Sequence, residues 1–225
     1  MPNVDSLQKY PLFEGLSEDD LARLIRHIHK RAFARGAYLF YPGSPSTNTY
    51  LVESGLVRLF FTNARGEEFL INLVQHPQVF GLPVPQPEDT RLMGAAVSQD
   101  AVILSVASGC LMEAMQSMPL LARNLYREAS ASARMVLMYN RALVTLDLSA
   151  RLAALLLHIA RSSQSAVVLD MPINQSHLAS WLGASRGRLN QALMDFQKQG
   201  FIRLEDKHIR LLDQAALEHL AQDGG

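Results

Sequence analysis

The chain has 225 residues, 48% of them hydrophobic and 19% charged, enough to bury a sizeable core and to divide into two domains. Its formal charge is balanced at +0, so no global basic field marks a nucleic-acid partner and any such contact has to come from a local patch. The single Cys110 excludes a disulfide framework and cannot supply the four thiolates an iron–sulfur cluster normally takes. In chain order, residues 17–29 come first: Leu21, Leu24, Ile25 and Ile28 recur at helical spacing behind a Ser-Glu-Asp-Asp capping series, which predicts a short amphipathic helix. Short β-branched or aromatic runs follow at residues 38–41, 49–52, 56–61, 69–74, 94–97 and 101–106, separated by Gly, Pro, Ser and Asn, the pattern of a small barrel or jelly roll. The opening residues lack a basic stretch followed by an apolar one, and no run of about eighteen apolar residues occurs, so a cytoplasmic chain without a membrane partner is expected.

Residues 120–144 contain neither Gly nor Pro and are rich in Ala, Leu, Met and Arg, predicting one long helix. Leu125, Ala129, Ser132, Val136 and Tyr139 fall on one stripe of it. That periodicity fits a seam with a second copy and packing on the barrel equally well. A further helix over residues 148–160 follows Asp147, a suitable cap.

Residues 175–194 carry the pattern of a helix-turn-helix. Ala179 is small where two steeply crossing helices meet, and Gly183 sits in the turn. Leu178, Leu182, Ala184, Leu189 and Ala192 supply a shared core. Ser185 is placed to cap the second helix, with Arg186 and Arg188 in its first turn. An ordinary helical hairpin has the same apolar spacing, so the company of the motif matters. Residues 200–204 and 209–212 flank Glu205-Asp206-Lys207-His208 and read as a β-hairpin, or wing. Between Gln175 and Arg210 six basic residues (Arg186, Arg188, Lys198, Arg203, Lys207, Arg210) face three acidic ones (Asp195, Glu205, Asp206), a locally basic patch suited to phosphate and base edges.

Taken together, residues 11–17, the glycines Gly36, Gly43, Gly55, Gly66 and Gly81, and residues 50–55, 146–153 and 182–186 resemble the cyclic-AMP receptor protein and fumarate–nitrate regulator (CRP/FNR) family over nearly the whole chain. The resemblance implies an α+β protein: a cyclic-nucleotide-binding-like β-roll (jelly roll) over residues 1–115, a dimerisation helix and hinge over 116–145, and a winged helix-turn-helix over 146–225. It implies a homodimeric, cytoplasmic transcription regulator, associated with the nucleoid when bound to a palindromic double-stranded DNA operator, with RNA polymerase as a further partner. Carried over by position, Arg186, Gly187 and Gln191 occupy base-reading places, with Asn190 beside them. Ser185, Arg188, Lys207, Gln175 and Ser176 occupy backbone-contacting places. The family usually has Glu where this chain has Gly187, so an acceptor for cytosine is missing while Arg186 can still take guanine.

The effector pocket departs further from the family. Phe80-Gly81 is followed by Leu82 where cyclic-nucleotide binders carry a ribose-holding Glu. Arg91 lies one residue out of the usual spacing and is followed by Leu92. Val136 and Leu137 stand where paired hydroxyl residues would meet adenine. These three changes argue against cyclic AMP as the effector. His76 is placed where haem-binding relatives can carry an axial ligand, yet a lone loop histidine is more commonly a surface residue, which weighs against haem. His27 and His29, two apart on the expected helix, make poor metal geometry. The other classes to weigh are a ligand-binding β-barrel and a cupin-like metal-dependent enzyme. The histidine pair and Glu that the enzyme would need on a strand are missing from the sequence, so the chain is expected not to be an enzyme.

Overall fold

The computed structural model describes residues 2–83, 90–162, 168–170, 175–205 and 208–223. They form two compact units, Met1–Arg134 and Met135–Gly225. The first opens with helix α1, Val4–Gln8, closed by an Asn3–Ser6 capping box, and a 3-10 turn at Pro11–Phe13. Helix α2, Glu18–Ile25, starts at Ser17, whose Oγ accepts from the Asp20 amide at 3.1 Å. Three acidic residues in its first turn complement the helix dipole. The helix expected to reach residue 29 stops at Ile25. Ile28 instead begins strand β1, Ile28–Phe33, where it pairs with Val106. Its apolar side chain fits a helical stripe as well as a strand face, and long-range pairing decides between them. His27 and His29 therefore do not share a helix.

Strands β2 (Tyr38–Phe40), β3 (Asn48–Thr62), β4 (Glu68–Gln75), β5 (Val79–Phe80) and β6 (Gly94–Ala107) complete an antiparallel sheet ordered β1-β6-β3-β4, with β2 on β6 and β5 on β3. Two pairs of short expected strands are each one long strand here. Gly55 is the reason on β3: it lies at φ +82°, in a stretch of shifting register, and a Cβ there would sit 2.2 Å from the Asp100 carbonyl oxygen. A bulged glycine bends a strand where the same residue in a sequence reads as a turn. Neighbouring residues then serve two cores, as strand alternation requires. Leu51 and Leu104 join the helices' side with Leu7, Tyr10, Phe13 and Leu21. Val52 and Ile103 face the inner cluster of Val57, Val74, Phe80 and Val97.

Helix α3, Ser108–Ser117, was not legible in the sequence pattern. Helix α4, Pro119–Thr145, is the long helix expected. Its first turns belong to the N-terminal unit: Leu121, Asn124 and Leu125 are buried there, and Asn124 donates to the Leu12 and Glu14 carbonyls at 3.2 and 2.8 Å. From residue 129 to residue 138 every side chain is exposed.

In the C-terminal unit α5, Leu148–Ser162, is capped by Asp147, which accepts from the Ala150 amide at 2.8 Å. Strand β7, Val168–Asp170, pairs with β9 of the wing, giving the sheet order β7-β9-β8. Helices α6 (Gln175–Trp181) and α7 (Arg186–Lys198), strands β8 (Ile202–Glu205) and β9 (His208–Leu211), and helix α8 (Gln214–Asp223) follow. Helix α5 packs on α7 and α8. Buried Leu152, Leu156, Leu189, Leu193, Phe196 and Leu217 make up much of this core. Among the described residues no helix is long and apolar enough to cross a membrane.

Candidate nucleic-acid interface

Helix α6 ends in a paired C-terminal motif: the Gly183 amide donates to the Ser180 carbonyl at 3.1 Å and the Ala184 amide to the Ala179 carbonyl at 2.9 Å. This is the Schellman arrangement, and it needs a left-handed residue at Gly183, which stands at φ +62°. The chain then turns into Ser185, extended at ψ 154°, whose Oγ accepts from the Arg188 amide at 3.3 Å and starts α7. Helix α7 buries Leu189, Ala192, Leu193 and Phe196, a 3-4 spacing that fixes which residues face outward. Arg186, Gly187, Arg188 and Gln191 are exposed, and Asn190 is half-buried. Gln191 donates to Asp195 Oδ1 at 3.0 Å. At the start of α6, Gln175 and Ser176 are exposed as well.

The first turn of α7 contains no acidic residue, and its two arginines sit at the positive end of the helix dipole, where a cation is disfavoured. On the wing, Arg203 is exposed and pairs across the strands with Arg210. Arg210 is neutralised locally: its Nε donates to Glu205 Oε1 at 2.9 Å. That hydrogen bond holds the Glu205 carboxyl below its usual range. Arg203 belongs to the basic patch, but nothing local in the sequence singles it out; its place opposite Arg210 comes from the register of the wing. Lys207 lies outside the described residues.

In the N-terminal unit the structure brings together part of the expected effector set. Phe80 is buried in a stack with Tyr50 (5.3 Å between centroids), which in turn stacks on Phe40 (5.4 Å). The Arg91 guanidinium lies 4.4 Å from the Phe40 centroid, donates from Nη2 to the Asn48 carbonyl, and would meet a Cβ on Gly81 at 2.5 Å. Its one-residue offset in sequence therefore leaves it against Gly81. Burial pulls its pKa down, opposed by the nearby Tyr50. Leu82 packs toward the helix-side core, and Leu92 is 82% exposed. Val136 and Leu137 are exposed on α4, in the other unit. Phe40, Tyr50 and Asn48, which hold Arg91, were not anticipated, since nothing local in the sequence ties them to it. His76 Nδ1 lies 3.2 Å from the Val52 carbonyl oxygen, its ring edge-on to Tyr10.

A sheet unit with the aromatic–arginine cluster, followed by a long helix and a winged helix-turn-helix with outward arginines, defines the class as DNA-binding regulators of the winged-helix type. Residues 150–220 match the model of the Crp-like helix-turn-helix domain and residues 30–118 that of the cyclic nucleotide-binding domain. The chain is 28% identical over 217 residues to the cyclic AMP receptor protein of Thermus thermophilus, covering 94% of this chain and 96% of that one. It is 26% identical over 221 residues to the CRP-like cAMP-activated global transcriptional regulator of Mycobacterium tuberculosis, covering 96% and 98%. Its fold resembles FixK2 from Bradyrhizobium japonicum with a TM-score of 0.80 at 20% identity, over 88% of this chain and 99% of that one. The chain belongs to the CRP/FNR family of DNA-binding transcription regulators.

Proposed function

We propose that this regulator acts as a cytoplasmic homodimer joined through α4, reads a palindromic operator with the first turns of its two α7 helices, and answers to a signal other than cyclic AMP. The observation that carries the DNA reading is the charge placed on α7. Two like-signed charges at a helix N-terminus are each disfavoured by roughly 0.3–1 kcal/mol, and an anion in front of them reverses the sign. Arg186 and Gln191, with Gly187 and Asn190 between them, form the base-reading surface. Ser185, Arg188, Gln175, Ser176 and Lys207 contact the backbone. Residues 1–115 sense the signal, 116–145 join the copies, and 146–225 bind DNA and present the complex to RNA polymerase.

The dimer reading is supported by the exposed apolar residues of α4: Tyr126 (75%), Val136 (49%), Leu137 (69%) and Val144 (85%). Ala129 and Ser132 of the expected stripe are exposed too. Leu125 and Tyr139 are not available in the same way, since Leu125 is buried in its own unit's core and Tyr139 is hydrogen-bonded within the C-terminal unit. The seam we propose is therefore rotated from the one periodicity suggests. It runs along Tyr126, Ala133, Leu137 and Val144, steps of seven, four and seven residues that keep one face. Against cyclic AMP stand Leu82, turned to the helix-side core, and an Arg91 guanidinium already engaged by Phe40 and Asn48.

The test is selection from randomised duplexes together with sedimentation. A two-fold symmetric site with half-sites about one helical turn apart is expected. Leu137→Glu should give a monomer that loses operator binding, because an unpaired charge buried in a seam costs about 3–5 kcal/mol. An intact Leu137→Glu dimer, or micromolar heat of cyclic AMP binding, would sink the corresponding part of the reading.

A further inference from the structure

The geometry points to Tyr139 as a positioning residue for DNA readout: its hydroxyl, reaching from α4 to the carbonyl that ends α6, holds the turn from which the recognition helix starts. This inference rests on the DNA-binding reading above. A helix end leaves its last carbonyls without partners inside the helix. In α6 the paired motif satisfies the carbonyls of Ala179 and Ser180. The next one, on Trp181, is taken by Tyr139, whose hydroxyl donates to it at 2.8 Å. Trp181 is 8% exposed, so without that donor the carbonyl would sit in a setting where water is scarce, a costly position for a backbone group.

A second contact lies one helical turn further along α4. A Cβ on Gly183 would come 2.9 Å from Leu143 Cδ2, so the glycine that permits the turn is also the point where α4 touches it. Arg151 fastens the same end of α4, donating from Nη1 to the carbonyls of Leu143 at 3.3 Å and Leu146 at 2.9 Å. The loop that passes from α6 to the Ser185 cap is thus held on α4 by one side-chain hydrogen bond and one apolar contact. Base edges are read only from a fixed pose, whereas phosphate contacts tolerate a spread of poses. Loss of the hydroxyl should therefore lower discrimination and leave non-specific binding alone.

Tyr139→Phe removes the donor and keeps the ring. Binding to a duplex carrying the site selected by the wild-type protein should weaken roughly three- to tenfold, the worth of one net hydrogen bond. Binding to a random duplex of equal length should not change. Without DNA, hydrogen exchange at the Gly183 and Ala184 amides should quicken, and sedimentation should show the wild-type oligomer. Leu143→Ala, which opens the apolar contact and spares the hydroxyl, should move the same readouts in the same direction and replaces Tyr139→Phe if that variant fails to fold. Unchanged selected-site affinity, a gain in it, or an equal loss on random DNA would overturn the role given to Tyr139 while the wild type still binds its site. A wild-type protein that enriches no sequence would bring down the DNA reading itself, and this role with it.

Discussion

In the N-terminal unit Arg91 is 8% exposed and spends its cation on the Phe40 ring and the Asn48 carbonyl. In the C-terminal unit Arg186 and Arg188 stand in solvent at the end of a helix that disfavours them. The same side chain thus does opposite work. A buried guanidinium must be satisfied by its own fold or it destabilises that fold, and Arg91 still leaves its Nε without a partner. An exposed one at a helix N-terminus costs little and gains most when a polyanion arrives. The contrast separates an arginine that shapes a core from arginines that await a partner.

Removing each kind of arginine should break the two regions in different measurements. Arg91→Ala should lower the stability of the N-terminal unit by about 2–3 kcal/mol in denaturant unfolding, through lost packing and lost cation–π attraction partly offset by relief of the buried charge. A variant as stable as the wild type would mean that the aromatic cluster does not depend on the guanidinium. Arg186→Ala should do the reverse. Stability should hold or rise by up to about 0.5 kcal/mol as the dipole repulsion is relieved, while affinity for the selected site falls by about 1–3 kcal/mol at one base pair per half-site. Equal losses on every sequence would place Arg186 on the phosphates instead.

The smallest effect concerns the wing, where Glu205 makes Arg210 behave like neither type. Glu205→Gln should release Arg210 and strengthen binding to random DNA, steepening the salt dependence by less than about one unit of slope. The pair also has an acid limit. Because Arg210 holds the Glu205 pKa below its ordinary value, the contribution is present above the unfolded value and is lost as pH falls through the lowered folded one. A fall in the protection of wing amides, measured against their intrinsic exchange at each pH, on acidification of the wild type and absent in Glu205→Gln, is the expected sign.

How far these regions could be read beforehand differs for a physical reason. The helix-turn-helix is built from local signals: Ser185 caps within three residues, Gly183 takes its own positive φ, and the Leu178–Ala192 pattern repeats at helical spacing. The effector region was legible only in part, because Arg91 meets Asn48 and Phe40 across long stretches of chain. Gly55 shows the ambiguity most plainly. A glycine at positive φ looks the same in a sequence whether it ends a strand or bends one, and only Asp100 on β6 decides. Tyr139 is similar: helical periodicity put it on the stripe of Val136, and a half-buried hydrogen bond to Trp181 takes it out.

The sequence by itself determined the order of the parts, the extent of the long helix, the cap and turn of the helix-turn-helix, and the family, since each depends on neighbours a few residues apart or on a spacing that survives alignment. Tertiary structure alone decided that Ile28 leaves a helix for a strand, that Leu82 packs on the helix-side core while Leu92 stays exposed, and that Arg91 is held by Phe40 and Asn48. It also decided that Leu125 and Tyr139 of α4 are engaged within their own units. Those outcomes depend on which face of an element meets another one, and a residue's periodicity specifies a face without specifying what lies opposite it.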